Sequence, residues 1–434
     1  MDIFVKILSS VLILGVLSYR DVDSIERNGK VVVCYVGTWA IYRPGRGMFS
    51  VDSIDPSLCT HLVYSFAGLN PSNWTIMSLD PYNDLEENFG KGNYKKMTAL
   101  KKSHPHLKVT LAIGGWNEGS ANYSKLAEDP NRRRIFIESV LEFMKLYDFD
   151  GLDLDWEFPT KRGGKPEDKT NFVLLIKELG QSLRQQGYIL TAAVSAAIDT
   201  LSTGYDLPEV HKHLDLVHLM CYDYHGSWEK KTGPNAPLTP DTDLLTVEAS
   251  VEYALDHGVP KEKLVMGVPL YGRTFILDGV NETSGKLGEP SKENEGFQGP
   301  FTKTNGFLGF NEICNELRSP EWKGHWDNIS NTPWASSGSK VVVYDNAMSI
   351  KLKVNYAMEM GLAGILTWSI DTDDFHGDCS FPGDPEPKYP LVRAINEAIT
   401  QSFVSPAKEK SSASQTAVSA FAFYIVFIVA ILSY

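Results

Sequence analysis

The sequence predicts an α/β chain closed into a (β/α)8 TIM barrel, and three observations carry that expectation. Eight continuous apolar runs of strand length recur along the chain. Near-continuous Val/Ile/Leu runs are what strands buried on both faces of a parallel sheet look like. Longer amphipathic stretches alternate with the runs, the order expected of β-then-helix units. The third observation is bulk: 434 residues, 43% hydrophobic and 22% charged. That is ample for a barrel of about 250 residues with an insertion, and it excludes disorder and collagen.

Taken in order, the first stretch is not part of the barrel. Residues 1–18 carry Lys6 and then an apolar run from Ile7 to Leu17. The run is short for a membrane span and suits a signal peptide cleaved after Ser18. The eight strand-like runs are Val31–Gly37, His61–Leu69, Leu107–Gly114, Phe149–Glu157, Ile189–Ala196, Leu214–Tyr222, Leu264–Gly272 and Gly364–Ile370, within a catalytic barrel expected over 28–400. Helical patterns such as Asn131–Tyr147, Lys169–Gln186, Leu245–Gly258 and Ser349–Gly361 separate them. Gly187, Gly258 and Gly361 stand where helices stop. One gap, between the seventh and eighth strands, is too long for a single helix. Its turn-rich text predicts an insertion over about 276–340, between strand 7 and helix 7, walling the substrate cleft. Residues 401–416 form a polar linker and 417–434 an uncharged apolar tail. Nothing basic follows the tail, whereas a stop-transfer helix carries Lys or Arg on its cytoplasmic flank. Small residues at Ser411, Ser412 and Ala413, with a short spacer before the apolar end, match a GPI signal, with a transmembrane anchor as the alternative.

A net charge of −13 speaks against a nucleic-acid or anionic-membrane binder and suits neutral or cationic partners. The sequons at Asn73, Asn122, Asn281 and Asn328 agree with a secretory route, so the chain is expected outside the cell. Five cysteines leave one over in any pairing, and Cys221, inside an apolar run, reads as a buried thiol. No Cys/His spacing resembles a zinc site, and no metal or cofactor is expected.

The chemistry sits in the fourth strand, FDGLDLDWEFP at 149–159. Alternate side chains of a strand share a face, so Asp153, Asp155 and Glu157 line up in one row. Buried strands ordinarily exclude carboxylates, because isolated buried charge is costly. A solvated edge strand is the bland alternative, and Leu152, Leu154 and Trp156 between the acids argue against it. Crowded carboxylates cannot all stay ionised, so at least one holds a proton near neutral pH. Glu157 lies nearest the C-terminal end of the strand, where barrel active sites open, and is the natural general acid.

At these residues the chain resembles glycoside hydrolase family 18, the chitinases, whose D-x-x-D-x-D-x-E signature is matched by Asp150, Asp153, Asp155 and Glu157. Further similar segments are KVVVCYVGTWA from Lys30, LAIGGW from Leu111, MCYDYHGSW from Met220, PLYGRTF from Pro269 and ILTWSIDTDDF from Ile365. The resemblance covers roughly 30–400 and implies a chitinase cleaving β-1,4 bonds between N-acetylglucosamine units. It implies a retaining, substrate-assisted mechanism, the exception to the two-carboxylate rule. Carried over by position, Glu157 protonates the glycosidic oxygen while the substrate's own acetamido oxygen attacks. Asp155 holds the acetamido N–H, Asp153 tunes Asp155, and Tyr222 binds the acetamido oxygen. Asp223 positions the sugar and Trp368 floors it. Further sugar contacts are expected at Tyr35, Trp39, Phe66, Gly115, Trp116, Met220, Trp228, Tyr271, Arg273 and Met358, because aromatic faces pack on pyranose C–H faces. For Phe66, Met220 and Met358 a place in the core is the competing reading. His225, just past the sixth run, reads as structural. The resemblance also implies the disulfides Cys34–Cys59 and Cys314–Cys379, and the chain is expected to act as a monomer. Phe158 and Cys221 depart from the family's usual residues, and no Cys-rich binding module follows residue 400, which speaks against processive attack on crystalline chitin.

The rival readings are a chitooligosaccharide-binding lectin or growth-factor-like protein on the same scaffold, and another retaining glycosidase acting on N-glycan cores. Lectin relatives usually lack the acid, and here Glu157 stands with all three aspartates.

Overall fold

Eight parallel strands close on themselves in the computed structural model: β1 (Val31–Gly37), β2 (His61–Asn70), β3 (Lys108–Gly114), β4 (Gly151–Asp155), β5 (Ile189–Ser195), β6 (Leu216–Met220), β7 (Leu264–Pro269) and β8 (Gly364–Trp368). Each pairs with its successor, and β8 returns to β1 with Val31 opposite Gly364. The structure describes residues 27–240, 243–280, 282–380 and 385–404. The expected leader, Asn281, residues 405–416 of the expected linker and the apolar tail lie outside the described residues.

Side-chain alternation builds two cores. Leu152 and Leu154 of β4, Val217 and Leu219 of β6 and their counterparts face outward, into a large core under the helices. Val33, Tyr35, Val63, Ala112, Val265 and Leu366 face inward and fill the barrel. Helix Pro130–Tyr147 starts where Asp129 accepts the amides of Asn131 and Arg132, and Thr246 and Asn346 cap helices Val247–Asp256 and Ala347–Glu359 in the same way. The last helix, Pro390–Val404, follows β8.

The seventh apolar run does not continue as one strand. It breaks after Pro269, and Tyr271–Ile276 opens a second sheet. That sheet is antiparallel, in the order Phe307–Gly309, Tyr271–Ile276, Lys340–Val343, Thr332–Ser337 and Lys323–Asp327. It buries an apolar cluster on each face, around Phe275 and Trp334 and around Leu308 and Ile313.

Cys34 is joined to Cys59, and Cys314 of helix Phe310–Glu316 to Cys379 beyond β8; Cys221 is a buried free thiol. Asn73 and Asn328 are exposed and Asn122 is half-exposed on helix Ala121–Glu128.

Candidate active site

The acid row points into the barrel at the C-terminal end of β4. Deepest is Asp153, fully buried. Its Oδ1 accepts from Thr191 Oγ1 at 2.6 Å and lies 3.1 Å from His218 Nδ1, while Tyr35 donates to Oδ2 at 2.7 Å. Burial alone would raise this carboxyl. The His218, Thr191 and Tyr35 partners outweigh burial and hold it below the ordinary aspartate range. Asp155, one step up the row, is equally buried and is pushed well above the usual range by burial, then by the charges of Glu157 and Asp153. Its Oδ1 has no hydrogen-bond partner among the described residues. Glu157, at the mouth, is raised to about 7 by burial and by the charge of Asp223, against the opposing Arg162. The row therefore holds a stabilised anion at the bottom and, above it, two mutually repelling carboxyls that both hold a proton more tightly than usual.

The other walls come from the ends of the remaining strands. Trp368 closes the floor beside Tyr35, Trp39 and Phe66, with ring centroids 5.7, 6.1 and 5.8 Å away. Phe66 reaches this position because Gly115, at φ +82°, leaves no Cβ in its way; one would stand 2.8 Å from the ring. Trp116 follows on a short turn and is 59% exposed. Met220 shares the inward face of β6 with His218 and is half-buried. Tyr222 lies in the barrel-lining cluster, edge-on to Tyr271, and burial keeps its hydroxyl protonated as a donor. Gly267 on β7 admits that ring, since a Cβ there would approach it to 2.9 Å.

The insertion sheet supplies the remaining wall. Tyr271 donates to Asp223 Oδ1 at 2.6 Å, and Arg273 reaches the same oxygen through Nε at 2.7 Å and Nη2 at 2.6 Å. Arg273 also lies 5.1 Å from the ring centroid of Trp228, which is 43% exposed.

Two sequence expectations change. Met358 does not join the cleft. It sits at the end of helix Ala347–Glu359 against the outer core, where an apolar residue of an amphipathic helix is driven. Tyr35 is 2% exposed and its hydroxyl is committed to Asp153 and His218, so it supports the acid row from below. His225 pairs with Glu229 at 2.9 Å.

Sequence reasoning missed His218 and Thr191, the partners of Asp153, and Asn235, whose side chain accepts from the Asp223 amide and donates to the Tyr271 carbonyl. His218 left a signal: a histidine in an apolar strand, four residues before Tyr222 and on its face. Asn235 left none. Among the described residues no three His, Cys, Asp or Glu side chains converge as a metal site requires.

Residues 31–373 match the family described as Glycosyl hydrolases family 18. The chain belongs to glycosyl hydrolase family 18. "Probable chitinase 2" of Drosophila melanogaster is 50% identical over 393 residues, spanning 85% of this chain and 80% of that protein. The crystal structure of the Ostrinia furnacalis Group IV chitinase in complex with allosamidin is similar at a TM-score of 0.81 and 43% identity, covering 86% of this chain and 99% of that one. Human YKL-39, a pseudo-chitinase with retained chitooligosaccharide binding, is similar at a TM-score of 0.77 and 33% identity, covering 86% of this chain and 100% of that one. Membership in family 18 thus accounts for the barrel, while whether a member hydrolyses or only binds is decided in the site.

Proposed function

We propose that this family 18 member is a chitinase, hydrolysing β-1,4 bonds between N-acetylglucosamine units with retention of configuration. The observation that carries the reading is the acid row, in which Glu157, raised to about 7, stands at the mouth above a buried Asp153 held below the ordinary aspartate range. In the proposed cycle Glu157 gives its proton to the glycosidic oxygen as the C1–O bond breaks, and the neighbouring acetamido oxygen forms a bond to C1. The resulting oxazolinium cation keeps its N–H on Asp155, while Tyr222 donates to the acetamido oxygen and pre-orients it. Water then attacks C1, Glu157 recovers a proton from it, and the ring opens to the product. Trp368 carries the sugar's apolar face, and Asp223, locked by Tyr271 and Arg273, holds the sugar's hydroxyl side.

The test is turnover of a fluorogenic chitotriose by the wild type beside Glu157→Gln. The variant is expected to lose at least ~1000-fold in kcat while still binding oligosaccharide, because only the transferable proton is removed. A variant that keeps much of the activity overturns the acid assignment. A wild type that binds chitotriose without cleaving it makes the chain a lectin.

We also propose an extracellular location with the C-terminal tail exchanged for a GPI lipid, supported by the apolar leader, the sequons and the uncharged tail. Release of the protein from intact cells by a phosphatidylinositol-specific phospholipase C is the expected result. Retention with the tail peptide intact overturns it.

A further inference from the structure

The turn that follows the acid places a cation on the rim of the cleft. Residues 159–165 leave Glu157 and fold back within seven residues. Asp168, fully buried at the start of helix Asp168–Gln185, anchors them: its Oδ2 accepts the amides of Lys165 at 2.7 Å and Thr160 at 3.4 Å, and its Oδ1 takes Ser124 Oγ at 2.7 Å. Thr160 and Arg162 both adopt positive φ, +69° and +50°, a conformation that persists only where the surroundings enforce it. So placed, Arg162 sets its guanidinium 3.5 Å from the ring centroid of Trp116 and donates from Nη1 to the Glu157 carbonyl oxygen at 3.0 Å.

Its neighbour Lys161 is paired with Asp199 at 2.8 Å, whereas no carboxylate lies within ion-pair distance of Arg162 among the described residues. A permanently charged group with no carboxylate in ion-pair contact among the described residues thus rides on the most exposed ring of the cleft, in a protein of net charge −13. Trp116 still keeps 59% of its surface open with the guanidinium against it, leaving ring area for a sugar.

We propose that Arg162 is a specificity-determining residue that selects N-acetylated over deacetylated units of the sugar chain lying on Trp116. This inference rests on the proposed chitin reading. Chitin is found partly deacetylated, and its free-amine sugars are cations in mildly acidic solution. The acidic protein and the carboxylates of the cleft attract such cations. A fixed guanidinium on the platform opposes them at that one position, while a neutral acetylated unit meets no such repulsion. Because the guanidinium stays charged at every working pH, the selection does not depend on the enzyme's own titration.

The test uses tryptophan-fluorescence titration of the full chain carrying Glu157→Gln, which prevents turnover, with the fully acetylated and the fully deacetylated glucosamine tetramers at about pH 5.5. Adding Arg162→Gln is expected to narrow the ratio of the two Kd values by about fivefold at low salt, and the narrowing should vanish in roughly 0.5 M salt. Arg162→Lys, which keeps the charge, should hold the ratio within about twofold of the Arg162 protein. An unchanged ratio in Arg162→Gln overturns the inference, as does a narrowing that salt leaves intact, since that reports lost stacking and not lost charge. If the acetylated tetramer fails to bind while Arg162 is present, the chitin reading itself is overturned and the inference with it.

Discussion

Asp153 and His218 face one another inside the barrel, 3.1 Å apart and both shut off from solvent. They stand on β4 and β6, which are not neighbours, since β5 lies between them. In an open sheet two strands so related sit nearly 10 Å apart. Closure turns their side chains toward a common axis, and Tyr35 from β1 joins the pair there. The charge at the foot of the acid row is thus a product of the closed barrel.

The Tyr35 hydroxyl is buried against Asp153 and cannot touch a sugar directly. Tyr35→Phe should therefore lower kcat by about tenfold or more while KM stays within about threefold, the pattern of a lost support for the transition state. Michaelis kinetics on a chitin oligosaccharide measure both. A rise in KM at constant kcat would restore Tyr35 as a sugar contact.

Glu157 must be protonated to act, and its carboxyl stands at about 7 in the free protein, raised first by burial and then by the charge of Asp223. The rate should therefore fall as pH rises through about 7. Asp223→Asn removes a like charge, the proton is then held less tightly, and the basic limb of kcat/KM must move to lower pH. The limb belongs to the coupled acid row and is compared as a whole, normalised to each protein's maximum. A limb that stays in place or moves upward contradicts the assignment.

Gly115 admits the Phe66 ring and holds a φ of +82°. Gly115→Ala imposes both a clash and a left-handed conformation, at a cost of about 1–3 kcal/mol. The expected result is a Tm lower by several degrees together with weaker oligosaccharide binding, as Phe66 is displaced toward Trp39 and Trp368. An unchanged Tm in a thermal melt would show that the turn yields without cost.

The Cys314–Cys379 bridge links the insertion to the loop beyond β8 across 65 residues. A loop of that length corresponds to about 4 kcal/mol of chain entropy in the unfolded state. Cys314→Ser should lower the Tm and open the insertion to limited proteolysis before the barrel. Equal protease resistance in the variant and the wild type would place the wall's stability in its two apolar clusters.

Much of this molecule was decided locally. The eight apolar runs, the row Asp153–Asp155–Glu157 and the helix caps follow from side-chain period and backbone chemistry, which act over a few residues and leave their mark in the text of the chain. Met358 shows the limit. Its sequence neighbourhood fits a cleft residue or a core residue equally well, and only the direction of helix Ala347–Glu359 chose the core. The same holds for the end of the seventh run, where Tyr271 leaves the barrel to pair with Phe307–Gly309 and Lys340–Val343, partners far along the chain. The proton ranking of the acids was decided at the tertiary level as well. Alternation alone makes the three carboxylates equivalent. Their differences arise because closure brings His218, Thr191 and Tyr35 to Asp153, leaves Asp155 Oδ1 without a hydrogen-bond partner among the described residues, and sets Asp223 near Glu157. Those groups come from β1, β5, β6 and the segment after β6, and electrostatic contact between such distant segments exists only once the barrel has closed.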